Sequence, residues 1–383
     1  MTTLNARTGS LTQATIHLGH MTHNLRLLQA LVGDRPMWPA IKANAYGHGI
    51  GIVAQHLIEQ GYRTLCVAHV TEAMELIEAG IEANYILLSA TLPEHSEAIV
   101  NSGSEPVVCN DEMIVSLAGE AQKQGRRVAV HLMVDTGMGR IGLQPDQVPA
   151  LLDRCGAFPR IKIRSLMSHF PCADETDKTL SREQTARFKR VIEVSRGYGI
   201  LLHNMANSAA IFDLPEAHFD VVRPGIAIYG LRPSAEILNP LVAELKPVLE
   251  WKSRITFLKE VPAGTGLSYG HAFHTARPSL IATLPIGYGD GLNRNLSNNM
   301  AMLVQGVHCP QVGRITMDQT LVDVTGLRGR VGLGEEVVII GSQGDQKITA
   351  DELAARLGTI NYEIVTAIAR RVPRLVVTGD QSP

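Results

Sequence analysis

A (β/α)8 barrel followed by a mostly antiparallel β domain is the fold class this sequence predicts. Three observations predict it. From residue 38 to 223, eight short β-branched or apolar runs alternate with amphipathic helical stretches, the pattern of repeated βα units over a parallel sheet. No G-x-G-x-x-G follows the first run, so an open dinucleotide-binding sheet lacks its fingerprint. Beyond about residue 240 the texture changes to strand-like runs broken by glycine. At 383 residues the chain exceeds what one core usually supports, and the expected division is a barrel domain over 12–240 and a β domain over 241–383.

Taken in order, the barrel strands are expected at 38–43, 64–68, 85–89, 106–109, 128–134, 161–168, 201–204 and 219–223. Helical periodicity marks 51–60, 71–79, 111–124 and 181–197, with Ser, Thr or Asp near several starts. In the second domain, strands are expected at 253–259, 279–284, 301–307, 314–324 and 336–340, followed by a helix at 349–357 and the segment 362–371. In such barrels chemistry sits at the C-terminal strand ends. Lys42 ends the first expected strand, Arg140 follows the fifth, His169 ends the sixth, Ser208 follows the seventh and Arg223 ends the eighth. These residues therefore converge on one face.

Composition narrows the function classes. With 45% hydrophobic and 19% charged residues the chain is ordinary globular protein. A net charge of −2 and a pI near 6.7 offer no field for nucleic acid or an anionic membrane. No run reaches transmembrane length, and the polar start Met1–Ser10 has no apolar leader core. The five cysteines, Cys66, Cys109, Cys155, Cys172 and Cys309, are scattered and show no C-x-x-C spacing, against a disulfide framework or a zinc site and in favour of a reducing cytoplasm. The 14 histidines form no ligand-spaced cluster, so no metal is expected.

Lys42 is the most informative single residue. An apolar run stops at its amine and gives way to small and turn-forming residues in Pro39–Gly49. Desolvation lowers a lysine's pKa and frees the neutral amine for Schiff-base chemistry. The bland alternative is a lysine that snorkels at a loop start.

Ala40–Gly49 (AIKANAYGHG) resembles the pyridoxal-phosphate lysine segment of the alanine racemase family. Seven further motifs match in the family's order: Val134–Gly142 (VDTGMGRIG), Ala206–Ser208 (ANS), Val222–Ala227 (VRPGIA), Leu267–Gly270 (LSYG), Ile286–Gly291 (IGYGDG), Met317–Gln319 (MDQ) and Asn361–Glu363 (NYE). The resemblance implies pyridoxal 5'-phosphate as cofactor, Lys42 as its lysine, and a homodimer with active sites shared between subunits. It implies phosphate contacts from Ser208, the Gly225 and Ile226 backbone, Tyr46 and Tyr362, and an Arg223 guanidinium at the pyridine nitrogen. It assigns a second base to Tyr269 from the partner subunit, with His169 and Arg223 as the network that tunes it. Arg140 and the Met317 backbone resemble substrate contacts, and Asp174, Tyr288, Arg294, Arg314 and Ile360 resemble the entrance. An early strand near 13–18 is implied to join the second domain.

The implied activity is interconversion of L- and D-alanine, supplying D-alanine for peptidoglycan. A racemase of broader or serine-preferring scope, a decarboxylase on the same barrel, and a non-catalytic cofactor carrier are the alternatives. Two departures from the family bear on the choice. Met133 stands where many members carry a lysine whose carbamate holds the equivalent of Arg140, and Asn204 stands where a histidine usually neighbours the pyridine-contacting arginine. His203 is one place away and, by strand alternation, faces the other side.

Overall fold

The computed structural model describes residues 9–378, and they divide into two compact units. Met21–Ala45 and Ile50–Lys246 form one. The rest of the described chain, including Tyr46–Gly49, forms the other. Most of the polar stretch Met1–Ser10 lies outside the described residues.

In the first unit Thr64–Val67, Asn84–Leu87, Glu105–Val108, Val128–Met133, Ile161–Met167 and Leu202–Asn204 pair in that order as a six-stranded parallel sheet. Two further positions close the ring through bridges instead of strands. Ala40 pairs with Cys66, Met37 with Val222, and Val221 with Asn204, all in parallel. The strands expected at 38–43 and 219–223 are thus reduced to single rungs, and the cause is covalent. Pro36, Pro39 and Pro224 have no N–H to give a ladder. Only their carbonyls serve it: Val222 N–H donates to Pro36 O at 3.1 Å, Cys66 N–H to Pro39 O at 2.8 Å and Ala40 N–H to Pro224 O at 2.8 Å. Phe219 enters its rung from a left-handed φ of 47°. The result is a TIM-like ring of eight positions with six regular strands.

Thr64–Val67 and Glu105–Val108 are buried along their whole length, as parallel strands covered on both faces must be. Asp111–Lys123 illustrates the covering helices. Asn110 Oδ1 accepts the Met113 N–H, Asp111 and Glu112 occupy the first turn, and Lys123 the last, a charge order that suits the helix dipole. Its buried face, Met113, Ile114, Leu117, Ala118 and Ala121, follows helical spacing. Val148–Cys155, a helix the sequence reading did not mark, buries Val148, Leu151, Leu152 and Cys155 at the same spacing, and the shorter Ser96–Ser102 buries Ser96, Ile99 and Val100.

The second unit holds a sheet in the order Val307–Pro310, Ala301–Val304, Glu336–Gln343, Leu249–Arg254, Gln13–His17, Arg374–Val377. Gln13–His17 pairs parallel with Arg374–Val377 and antiparallel with Leu249–Arg254. A second antiparallel sheet joins Thr320–Asp323, Ser279–Leu284 and Phe257–Val261. The run expected as one strand at 253–259 divides at Ile255–Thr256 because its halves enter different sheets. The run expected at 301–307 is a hairpin turning at Gln305 (φ 51°) and Gly306 (φ 73°), the left-handed pair that matches strand twist.

Candidate active site

Lys42 does not end an extended strand, contrary to the sequence reading. Ile41 N–H still donates to Cys66 O at 2.8 Å, but Ala43, Asn44, Ala45 and Tyr46 then take φ of 52°, 55°, 53° and 52°, with ψ of 54°, 44° and 52° at the first three. This is one turn of left-handed helix built from L-residues, a geometry that costs about 1–2 kcal/mol per residue and that gathers at functional sites. Glu72 offsets part of that cost. Its carboxylate accepts the Ala43 N–H at 2.7 Å and the Ala68 N–H at 2.6 Å. Asn44 Oδ1 accepts the Ile50 N–H at 2.9 Å. The turn thus sets the direction of the lysine that precedes it.

Lys42 opens on a cavity of about 330 Å³ shared with Leu88–Ala90, Met133, Arg140, Ile141, His169 and Arg223. Three cations line it and no carboxylate does. Burial, and then the charge of Arg140, hold the Lys42 ammonium below its usual range, with Arg223 adding to the effect. His169 is pushed down to about 3, first by burial and then by Arg223, Arg140 and Lys42, so its imidazole is neutral throughout the physiological range. Arg140 is exposed, on a loop fixed by Asp135, whose Oδ1 accepts the Gly137 N–H at 2.9 Å and the Gly139 N–H at 3.1 Å. Met133 is buried beside it and brings no charge.

Arg223 is buried, and desolvation lowers its pKa to about 10, which leaves it a cation at neutral pH. It donates through NH1 to Asn204 Oδ1 and through NH2 to Ser168 O at 2.7 Å. NH2 also lies 3.4 Å from His169 Nδ1. A guanidinium only donates, so Nδ1 accepts and the ring proton of His169 resides on Nε2. Ser208 begins the helix Ser208–Asp213. The N-cap is Asn207, whose Oδ1 accepts the Ala210 N–H at 3.1 Å. Ser208 Oγ instead accepts the N–H groups of Gly225 at 2.8 Å and Ala227 at 3.3 Å, which leaves its own O–H to donate. Ile226 is buried at the start of the turn Ile226–Tyr229.

The remaining sequence candidates belong to the second unit, except Asp174, which is half-buried in the first. The Tyr46 and Tyr362 rings lie 6.1 Å apart, tilted by 50°. Tyr269 is 71% exposed on a turn entered through Ser268 (φ 61°) and left through Gly270 (φ 67°). Ser268 Oγ–H donates to Arg314 O at 2.7 Å, and a Cβ at Gly270 would sit 3.1 Å from the Arg314 guanidinium. Tyr288 N–H donates to Thr316 O, and Gly289 N–H to Met317 O, both at 2.9 Å. A Cβ at Gly287 would meet Thr316 O at 2.1 Å, so only glycine permits this approach. Arg294 and Ile360 are exposed.

His203 turns away from Asn204, with Nδ1 2.7 Å from Asp220 Oδ2, as alternation along the strand requires. Sequence reasoning missed Glu72, Glu105, His131 and Ser165. Of these only His131 left a trace in the sequence, as the one polar residue in the otherwise apolar run Val128–Met133.

The chain matches the family descriptions "Alanine racemase, N-terminal domain" over residues 16–233 and "Alanine racemase, C-terminal domain" over residues 248–376. It is 43% identical over 374 residues to the alanine racemase of Halothermothrix orenii, covering 97% of this chain and 98% of that one. It is 43% identical over 372 residues to alanine racemase 2 of Caldanaerobacter subterraneus subsp. tengcongensis, covering 96% of this chain and 95% of that one. Among solved structures, alanine racemase from Clostridium difficile 630 superposes with a TM-score of 0.92 at 34% identity, covering 97% of this chain and 96% of that chain. The Bacillus anthracis enzyme, solved with bound L-Ala-P, gives 0.91 at 32% identity over 97% and 96% of the two chains. On these matches the chain belongs to the alanine racemase family.

Proposed function

We propose that this protein interconverts L- and D-alanine with pyridoxal 5'-phosphate, by a two-base mechanism, as a cytoplasmic homodimer that supplies D-alanine for peptidoglycan. In this reading 12–240 is the cofactor domain and 241–383 the domain that carries the second base. The observation that carries the proposal is the buried Arg223 in one cavity with Lys42.

The donor set fits the cofactor. The cavity lies within the range of about 300–1,000 Å³ usual for small-ligand sites. Its cations, with no carboxylate among the lining residues, suit an anionic phosphate and a substrate carboxylate. The Ser208 hydroxyl and the Gly225 and Ile226 backbone, with Tyr46 and Tyr362, would hold the phosphate, and Arg223 would face the ring nitrogen. The bound group supplies an aldehyde for lysine and a sink for charge at the amino acid's Cα.

What the chain's own residues do follows from their chemistry. Arg223 cannot give a proton at neutral pH, so it would hold the ring nitrogen without protonating it. Charge would then stay near Cα, and return of the proton there would be favoured over transamination. Lys42, its amine already biased toward the neutral form, takes or returns the Cα proton on one face. Tyr269 of a second copy does so on the other. An ordinary tyrosine titrates near 10 and is a poor base at neutral pH; the Nε2–H of His169 is the donor that would stabilise its phenolate. Arg140 would bind the substrate carboxylate, and the Met317 backbone the cofactor's phenolic oxygen. Asp174, Tyr288, Arg294, Arg314 and Ile360 would narrow the entrance.

Met133 and Asn204 favour one second reading, a racemase of broader or serine-preferring scope. One methylene at Cβ is worth only about 1–3 kcal/mol of discrimination. The test is loss of optical activity from L-alanine, L-serine, L-lysine and L-arginine by the cofactor-loaded protein. A strong preference for alanine is expected, and comparable turnover of the larger amino acids would overturn the narrow reading. Tyr269→Phe is expected to lose about 10²–10⁴-fold in racemisation while retaining cofactor. Full activity in that variant would sink the two-base assignment.

A further inference from the structure

Resting on the reading of Arg223 as the ring contact, we infer that Glu105, His131, Ser165 and Asn204 form a hydrogen-bond relay of fixed polarity inside the barrel that positions Arg223.

The relay begins with an irregular strand. Val130 pairs with Ile163 but His131 pairs with Ser165, so Arg164 is an extra residue in Ile161–Met167. On a regular strand Arg164 and Ser165 would point to opposite faces. The bulge lets both serve one cluster: Arg164 NH1 donates to Glu105 Oε1, and Ser165 Oγ lies 2.7 Å from His131 Nδ1. His131 Nε2 lies 2.9 Å from Glu105 Oε2. Trp38 packs edge-on against the imidazole, with ring centroids 5.5 Å apart, and beneath the Arg164 guanidinium. His131, Ser165 and Asn204 are all fully buried.

Each proton then has one place to go. Burial pushes up the Glu105 carboxyl, but the hydrogen bond from His131 and the charge of Arg164 outweigh it and hold it below the usual carboxylate range. It is therefore an ionised acceptor. Burial holds the His131 imidazole below its usual value, so it is neutral with a single N–H. That proton must be on Nε2, facing Glu105, which leaves Nδ1 as an acceptor for the Ser165 O–H. Ser165 Oγ can then accept from Asn204 Nδ2, 3.1 Å away, which also reaches Leu166 O at 3.3 Å. With its amide nitrogen committed, Asn204 presents Oδ1 to Arg223. A charge pair at Glu105 and Arg164 thus dictates which way an asparagine two hydrogen bonds beyond His131 is turned. Where the family usually has a histidine that can change its protonation, this chain holds Arg223 with an amide that cannot.

Ser165→Ala cuts the relay in its middle without touching Arg223. Three quantities are measured on the variant and the parent, well below the unfolding temperature: the pyridoxal phosphate dissociation constant by absorbance titration, the visible spectrum of the bound cofactor, and kcat and KM for alanine. The expected result is a dissociation constant raised about three- to tenfold, the equivalent of one net hydrogen bond, with a displaced absorbance band and a fall in kcat exceeding any change in KM. Ser165→Thr, which restores the hydroxyl, should recover the affinity. A Ser165→Ala protein with a lower Tm but unchanged affinity and spectrum overturns the relay, because a merely structural role does that. If Ser165→Ala fails to fold, Ser165→Cys, similar in size but a weak hydrogen-bonding group, is measured in the same way. A parent protein that takes up no pyridoxal phosphate overturns the proposed function itself, whereas normal uptake and racemisation with an insensitive Ser165 overturns the relay alone.

Discussion

At the scale of single residues, the site is a problem in holding cations together. Lys42 shares its cavity with Arg140 and Arg223, and each like charge adds to what burial already does to its ammonium. The sign is definite: burial and neighbouring positive charge both favour the neutral amine, so Lys42 loses its proton at a lower pH than an exposed lysine. Reductive methylation of the cofactor-free protein across a pH series, read by peptide mass spectrometry, should modify Lys42 at a pH below that needed for Lys123, which is exposed and raised by Glu120. Equal midpoints would contradict the electrostatic account. Lys42 and Arg223 were legible in the sequence because they stand inside recognisable motifs, although neither ends a regular strand. Glu72 was not, since nothing in a helix-start glutamate says that its carboxylate will reach the backbone of Ala43. His131 hid for another reason: periodicity reports that a strand is buried, but not which polar residue within it finds partners.

At the scale of elements, prolines and left-handed residues explain where the sequence reading and the structure part. The first expected strand has the right composition, yet Pro39 denies it a donor and four successive left-handed residues replace its end. Periodicity cannot anticipate that turn, because the Cβ of Ala43 and Ala45 disfavours the left-handed region, which Asn44 tolerates as a single residue but not as part of a run. Its strain can be measured. Ala43 is exposed, so Ala43→Gly removes little packing and releases the Cβ penalty at φ 52°. It should stabilise the protein by about 0.5–1 kcal/mol in urea unfolding, after allowance for the greater freedom of glycine in the unfolded chain. Ala43→Val, β-branched at the same φ, should destabilise it by about 1–2 kcal/mol. If the two variants are equally stable, the turn is not strained and Glu72 has nothing to offset. The alternation in Gln13–His17, which buries Ala14 and Ile16, shows the opposite case, where a period of two is plainly written in the residues.

At the scale of the whole molecule, the residues that would move protons lie in different compact units of the chain, Lys42 in one and Tyr269 in the other. Tyr269, Met317 and Ile360 are exposed by 71%, 53% and 59%, and tyrosine and methionine are the kind of residue that protein interfaces collect. If Tyr269 acts on a second copy's Lys42, neither Lys42→Ala nor Tyr269→Phe is active alone, but a dimer with one of each has one complete site. In that mixed dimer, the protomer that keeps Lys42 meets the partner's intact tyrosine, and the other site lacks both groups. Random reassociation of equal amounts makes half the dimers mixed, each with one of two sites restored. Activity should therefore recover to about a quarter of the parent's, and should grow as dilution and remixing are allowed to exchange subunits. If Lys42 and Tyr269 of the same protomer worked together, every mixed dimer would hold two broken sites and the mixture would stay as inactive as its components. A recovery near a quarter thus separates a shared site from a self-contained one without any further structure, and it tests dimer formation and the role of Tyr269 together.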